Sequence, residues 1–415
     1  MTAPQRRFIY IDPSLQGNVG HHANVCRLIT REMAARGFEV RIFASERIEP
    51  GLQSELQAHP LFRWNAYAAP WCAQDRLAGW LRDFETISAD TFTDLTRIGH
   101  DISCDDIVYF SQAMPAQLRA VIQWAEQFQT TSRPWIFVEF ATEPGVQVSP
   151  DGQTVSILNP FADPRGVLYR HAAGHLSEEL CERVFLGTYD QEISRLFTFL
   201  VRRTVQHFPL PQRRVNPLRR RQRGETITVG ILGHQREDKG YNLVPQIAER
   251  LLAEIPDVRL LVQNGAAWQM PGPQAQLTSL AAIHFMLELD DQPADLVRWA
   301  ELLEQSDLIV CPYSPSRFAS AYSAVASEAV ANGIPLVIPA GTTMSVLLRE
   351  FDQPGVLFNE WNADAVYAAI LSALDQFDSL AGKALEAAER WGRTRGSERL
   401  ADHLMSYAVC KETAV

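Results

Sequence analysis

The chain contains no apolar run long enough to cross a bilayer as a helix, which excludes a helical membrane span. It has no Cys-x-x-Cys pair and no histidine at zinc-ligand spacing. Its six cysteines, Cys26, Cys72, Cys104, Cys181, Cys311 and Cys410, are scattered. Reduced structural thiols are therefore expected rather than a zinc site or a disulfide framework. Positive charge is also in deficit. A formal net charge of -11 and a pI near 5.5 argue against nucleic acid as the main partner, because such binders gather positive charge over a whole domain. Low-complexity tracts are absent, so disorder is not expected. No secretory signal is evident, since Met1 to Arg7 leads straight into a strand-like run, and a cytoplasmic protein is the expectation.

What is present fits a large globular chain. With 415 residues, 46% hydrophobic and 21% charged, two or more domains can each bury a core. Short apolar runs alternate with amphipathic segments, the pattern of βαβ units and parallel sheets, and the series occurs twice. The first begins at Phe8–Ile11, passes a glycine-containing loop, and enters a helix from about Asn24 to Arg36 that Gly37 caps; Val40–Phe43 follows as a strand. Further strands are expected at Ile107–Phe110, Trp135–Val138 and Val184–Leu186. The second series starts at Ile227–Leu232 and continues with a helix from about Leu243 to Ile255. Its later strands are expected at Val258–Val262, Ile283–Phe285, Leu308–Val310 and Leu336–Ile338. The fold class is thus α/β, with two Rossmann-like domains facing a cleft. The expected divisions are 1–205, a linker at 206–226, and 227–393, followed by a terminal stretch at 394–415.

The linker carries Pro209-Leu210-Pro211, then Arg213-Arg214 and Arg219-Arg220-Arg221-Gln222-Arg223. Proline keeps it extended and the arginines keep it solvated, so an interdomain connector is the first reading. The second is a basic rim attracting anionic lipid head groups, hence peripheral membrane contact, or a phosphorylated substrate.

Each series opens with a loop whose chemistry suits a polar ligand. Asp12 to His22 joins a strand to a helix, and Gly17 and Gly20 permit close backbone approach at the helix N-terminus. His21 and His22 add donors for sugar hydroxyls or phosphate oxygens. Gly-x-x-Gly alone is weak, because glycine turns of this kind are often structural. In the second series, Gly233-His234-Gln235-Arg236-Glu237-Asp238-Lys239-Gly240 follows the first strand. Arg236 and Lys239 could both face an anion; the competing explanation pairs Lys239 with Glu237 or Asp238 on a wet loop. Finally, Ser327–Val337 sets one acidic side chain, Glu328, in a helix of small and apolar residues ending at Asn332-Gly333. A lone carboxylate there must be paired, exposed at one end, or reserved for a ligand.

Taken together, the glycine loop Gly17–His22 with its helix ending Ala34-Ala35-Arg36-Gly37, the segment Gly233–Gly240 and the run Ser327–Val337 resemble the retaining glycosyltransferases of the GT-B fold, most like glycosyltransferase family 4. The most specific element is a glutamate, seven residues, a second glutamate, then Ala-x-Ala-x-Gly-x-Pro-x-Val, whose second half is matched throughout by Glu328–Val337. The resemblance implies a nucleoside-diphosphate sugar donor, with Glu328 on the ribose hydroxyls and Lys239 on the diphosphate. It places Ala321 to Val325, including Tyr322, Ser323, Ala324 and Val325, at the diphosphate and sugar. Helix amides and basic side chains would carry the leaving-group charge, so neither metal nor cofactor is expected. Two positions depart from the pattern. Ser320 stands where the first glutamate belongs, and His234 replaces an arginine whose phosphate contact Arg236 could assume. Pro312-Tyr313-Ser314-Pro315 resembles a segment of bacterial relatives that lack the first glutamate. The resemblance further implies that residues after about 393 cross back to the N-terminal domain.

The acidic residues are too dispersed for a glycosidase pair. The implied mechanism is front-face substitution with retention at the anomeric carbon, in which Lys239, Arg236 and His21 act at the reacting centre. Glu139 and Glu143 are candidates for the acceptor, against the commoner fate of solvated strand-end glutamates. Arg170 and His171 could line the cleft, but an ordinary helix surface explains them as well. Asp290-Asp291 reads as a capping turn, and Trp268, Trp299 and Trp391 as core or domain contacts. From Leu380 to Tyr407 two helices are expected, broken at Trp391-Gly392-Arg393. Two rival functions fit the same sequence: a nucleotide-sugar epimerase of the same architecture, and a noncatalytic partner of another transferase.

Overall fold

A computed structural model describes residues 6–18, 21–67, 76–99, 102–140, 144–149, 154–212, 226–265, 269–292 and 294–409. Gly20, Glu143, Trp268 and the arginines of 213–223 lie outside the described residues.

The chain divides into two compact units, one of residues 1–211 with 397–415 and one of residues 212–396. In the first unit the strands are β1 (Arg7–Asp12), β2 (Glu39–Ser45), β3 (His59–Phe62), β4 (Ile107–Ala113), β5 (Trp135–Phe140), a hairpin of β6 (Val146–Val148) and β7 (Val155–Ile157), β8 (Val184–Thr188) and β9 (Val205–His207). Apart from the antiparallel hairpin they form one parallel sheet in the order β3-β2-β1-β4-β5-β8-β9. Every residue of β1, β4 and β5 is buried. Continuous rather than alternating burial is what a parallel sheet covered on both faces requires, and it explains the unbroken apolar runs. The helix His22–Ala35 ends as expected: Gly37 adopts φ 85° and its N–H donates to Ala34 O.

The second unit contains β10 (Ile227–Ile231), β11 (Val258–Gln263), β12 (Leu287–Asp290), β13 (Leu308–Val310), β14 (Leu336–Pro339) and β15 (Gly355–Phe358). They make a parallel sheet in the order β12-β11-β10-β13-β14-β15. Val229, Val262, Leu308 and Val337 of its strands pack with Ile247 and Leu251 of the helix Val244–Glu254 and with Val366 and Ile370 of the helix Ala363–Asp375.

Several expectations are corrected. Ile283–Phe285 is not a strand: Ile283 and Phe285 are 75% and 93% exposed, and the edge strand begins at Leu287, whose side chain does reach the core. Trp391 does not break a helix. The helix Phe377–Thr394 runs through it, with the indole buried against Phe351, and the chain turns at Arg395-Gly396, where Gly396 takes φ 99°. Asp290-Asp291 is not a capping turn either. Asp290 ends β12 and pairs with Arg298 at 2.8 Å, while Asp295 caps the helix Leu296–Gln305.

The helix Ser397–Val409 belongs to the first unit. Leu400, Ala401 and Leu404 are buried, Arg36 pairs with Asp402 at 3.0 Å, His403 contacts Gln206, and Tyr407 packs on Phe185 and Phe137. Arg170 donates to Leu200 O and the His171 ring packs on Phe84, so both hold their helix to its neighbours.

Candidate functional site

In an open parallel sheet, adjacent strands whose onward connections run to opposite sides leave a crevice at their carboxyl ends. The first unit has this switch between β1 and β4, the second between β10 and β13. Among the described residues singled out by sequence, His21, His22 and Glu139 stand at the first place and His234, Lys239 and Glu328 at the second.

In the second unit, the loop after β10 is pinned by amide groups. Gly233 N–H donates to Gln263 Oε1, and Gln235 Nε2 donates to Gly233 O and Gln263 O. Gly233 has φ 107°, and a Cβ there would stand 3.3 Å from Lys239 Nζ, 3.2 Å from Tyr313 Oη and 3.2 Å from Val325 Cγ2. Three segments distant in sequence thus converge on one glycine. Lys239 ends a 3-10 turn, Glu237–Lys239, which Gly240 closes at φ 70°. A Cβ on Gly240 would fall 1.9 Å from Pro312 O, so only glycine lets the turn dock against the loop after β13. Ser314 N–H donates to Asp238 O across the same junction.

The partner of Lys239 is not the one a wet loop would supply. Among the described residues no carboxylate lies within ion-pair distance of it; Asp238 is taken by Arg236 at 3.0 Å. Its ammonium lies 5.3 Å from the Tyr313 ring centroid. Desolvation, then the charge of Arg236, lowers its pKa to about 8. The chain has only three lysines, Lys239, Lys383 and Lys411, against a total of 38 basic residues. A compact ammonium at this one loop is therefore a departure from the chain's usage, suited to a point-charge phosphate contact. His234, exposed, contacts Gln269, and burial with the charges of Arg236 and Lys239 lowers its pKa, keeping it neutral at pH 7.

The helix Ala324–Ala331 starts beside this loop. Its N-cap Ser323 accepts from Ala326 N–H, leaving the Ala324 and Val325 amides without a side-chain cap. Tyr322 is half-buried and its hydroxyl accepts from Gln212; Ser320, also half-buried, lies just before. Glu328 is one turn along the helix, 9% exposed, and accepts a hydrogen bond from Trp299 Nε1. Burial raises its pKa to about 7, with the indole opposing. Trp299 is therefore a partner of Glu328, not a core residue.

In the first unit the switch point holds a second polar cluster. Asp12, fully buried, lies 2.8 Å from His22 Nδ1. Burial lowers the His22 pKa, but charge and hydrogen bonding from Asp12 more than offset it and the net shift is upward. His21 stacks on His22 with ring centroids 4.4 Å apart; its position is exposed, yet the protein around it and the neighbouring imidazole lower its pKa. Glu139 does not sit in a solvated loop: it is inside β5, 2% exposed. Its carboxyl accepts from Ser111 Oγ, from Gln112 N–H and from Gln112 Nε2. Burial raises its pKa to about 8.

Gln112 was not singled out by sequence. It occupies the left-handed region at φ 59°, where the β4–β5 register shifts, and its Oε1 accepts from Tyr67. A strained, non-glycine residue at an irregular strand end, held by a buried glutamate, is the kind of feature found where a side chain is aimed at a ligand. The space Gly17 leaves is filled by Glu49, whose Oε1 would stand 2.6 Å from a Cβ there. With Asp12 and Glu49 around it, this loop favours hydroxyl groups over phosphate. Among the described residues no three His, Cys, Asp or Glu side chains gather as a metal would need. No helix there is long and apolar enough to cross a membrane.

No family model matches the sequence. No curated protein matches it. Solved structures do. A sucrose-phosphate synthase from Thermosynechococcus elongatus superposes with TM-score 0.63 at 15% identity, covering 99% of this chain and 100% of that one. HepE from Anabaena, in complex with UDP, gives 0.60 at 11% identity over 99% and 100% of the two chains. A glycosyltransferase from Rickettsia africae gives 0.62 at 13% over 99% and 100%. The fold is GT-B. It consists of two Rossmann-like α/β domains, as the sequence pattern implies.

Proposed function

We propose that the protein is a glycosyltransferase taking a nucleoside-diphosphate sugar in its second unit and a hydroxyl acceptor in its first. The observation that carries this reading is the convergence at Gly233 of Lys239 Nζ, the Tyr313 hydroxyl and Val325 in the first turn of the helix Ala324–Ala331, whose Ala324 and Val325 amides the Ser323 cap leaves unused. An ammonium without a carboxylate partner beside free helix amides is a diphosphate site. Glu328 and Trp299, one turn away, suit a ribose: the carboxylate accepts from hydroxyls and the indole offers an edge. Solved neighbours holding UDP and UDP-glucose support the donor class.

In the proposed reaction the acceptor hydroxyl attacks the anomeric carbon from the face that the diphosphate leaves, giving retention. The departing β-phosphate takes the hydroxyl proton. Lys239, Arg236 and the amides of Ala324 and Val325 stabilise the charge that builds on the diphosphate, so no metal is required. His21, His22 and Gln112 orient the acceptor, with Asp12 and Glu139 fixing their positions. Removing the Lys239 ammonium should cost roughly 2 to 4 kcal/mol of transition-state stabilisation, or about two to three decades in rate. Transfer assays with UDP, GDP, ADP and TDP sugars and mixed hydroxyl acceptors test the reading. Undiminished transfer in both Lys239→Ala and Glu328→Ala would remove it, and incubation with donor alone, followed by product analysis, separates transfer from epimerisation.

A further inference from the structure

Arg236, assigned above to the diphosphate, is paired with an acid. Its Nη2 donates to Asp238 Oδ2 at 3.0 Å. The Nε of Arg317 stands 3.8 Å from that same oxygen. Two guanidiniums thus address one acceptor atom, one in hydrogen-bond contact and the other just outside it. They come from segments distant in sequence: Arg236 precedes the turn Glu237–Lys239, and Arg317 lies in the short helix Pro315–Phe318.

The junction between these segments is fixed by backbone and apolar groups rather than by the ion pairs. Ser314 N–H donates to Asp238 O at 2.9 Å, and buried Phe318 packs on Tyr313 with ring centroids 4.6 Å apart. The side chains of Arg236, Asp238 and Arg317 are by contrast only partly covered. Exposed pairs of this kind are weak, so exchanging one for the other costs little and leaves the backbones in place. Arg236 also stands over the site. After desolvation, its charge is the next cause lowering the pKa of both Lys239 and His234. A diphosphate drawn to Lys239 therefore arrives beside Arg236, and beside the Asp238 carboxylate that repels it.

We propose that Arg317 is a positioning residue of the donor site, a role that rests on the transferase reading above: when a diphosphate draws Arg236 away from Asp238, Arg317 closes onto the same carboxylate oxygen and keeps it neutralised. Without Arg317, Asp238 competes with the ligand for Arg236 and stands unscreened beside the diphosphate. Both effects weaken binding, and both act through Asp238. That dependence separates a positioning role from direct contact with the ligand, which would not need the carboxylate.

The test is a double-variant cycle read by calorimetric titration of UDP, GDP, ADP and TDP into the full chain. For a diphosphate that the parent binds, Arg317→Ala should weaken binding by about threefold to fivefold. Asp238→Asn should bind at least as tightly as the parent, and adding Arg317→Ala to Asp238→Asn should change the affinity no further. Arg317→Lys, which keeps the charge, should fall between Arg317→Ala and the parent. Equal weakening by Arg317→Ala with and without the Asp238 carboxylate would overturn the proposal, because direct contact or a merely structural role predicts it. Weaker binding by Asp238→Asn than by the parent, or unchanged affinity in Arg317→Ala, would also overturn it while leaving the donor site standing. If none of the four diphosphates bound the parent, the donor reading would fall and the role of Arg317 with it.

Discussion

Lys239 is a cation held partly out of water, with its pKa lowered to about 8 by desolvation and by Arg236. A lysine whose folded pKa is depressed releases its proton earlier in the folded state than in the unfolded one. Its cost to folding is therefore greatest below pH 8 and is relieved as pH rises toward the unfolded value. Ligand binding has the opposite sign, because a diphosphate needs the ammonium. The dissociation constant of a bound nucleoside diphosphate should rise as pH is taken from 7 to 9, and Lys239→Met should bind more weakly at pH 7 and lose that slope; a slope surviving in the variant would clear Lys239 of the role. Glu139 behaves inversely. Burial raises its pKa to about 8, so between the carboxylate's ordinary range and pH 8 the folded state holds a proton that the unfolded state has lost, and stability falls as pH rises through that window. Glu139→Gln should show a flatter melting temperature from pH 5 to 8 than the parent. Parallel profiles would contradict the buried-carboxyl account.

Among the secondary elements, those that place the two clusters are held by local devices that single residues can test. Gly240 closes the turn carrying Lys239 at φ 70°, and a Cβ there would fall 1.9 Å from Pro312 O. Gly240→Ala must move that turn, and nucleotide-dependent stabilisation should fall even where the variant remains folded. At the end of β4, Gln112 keeps a left-handed backbone through its bonds with Glu139. Gln112→Gly relieves the strain while losing the side chain, whereas Gln112→Ala loses the side chain and keeps the strain. The alanine variant should be less stable than the glycine variant by about 1 kcal/mol in urea unfolding.

These elements also show what the sequence could and could not reveal. Buried parallel strands are written as apolar runs, which is why Phe8–Ile11, Trp135–Val138 and Leu308–Val310 are legible. Ile283-His284-Phe285 also carries two large apolar residues but is left outside the sheet, a matter of tertiary position rather than local preference. Trp391-Gly392 reads as a break, yet the indole is buried against Phe351 and packing carries the helix past the glycine. Lys239, Arg236 and Glu328 stand in recognisable local patterns. Gln112, Tyr67 and Trp299 do not, because their significance comes from a backbone angle or from a partner many residues away.

For the molecule as a whole, the division into two units assigns the last helix to the first of them. Leu400, Ala401, Leu404 and Tyr407 carry its packing, with Arg36 and Gln206 as polar partners. Deleting residues 397–415 should lower the unfolding temperature of the first unit in calorimetry. The transition of the second unit, and its rise with nucleotide, should persist. A uniform loss of both would mean that the units do not unfold as separate bodies.

The central claim, that the second unit holds a nucleoside-diphosphate sugar through Lys239, is tested most directly by calorimetric titration of UDP, GDP, ADP and TDP sugars into the intact chain and Lys239→Met, with a CMP sugar as the monophosphate control. Saturable binding of at least one diphosphate sugar, weakened by about two decades or more in the variant and absent for the monophosphate, is the expected result. Failure of every diphosphate sugar to bind, or equal affinity in Lys239→Met, would contradict the account.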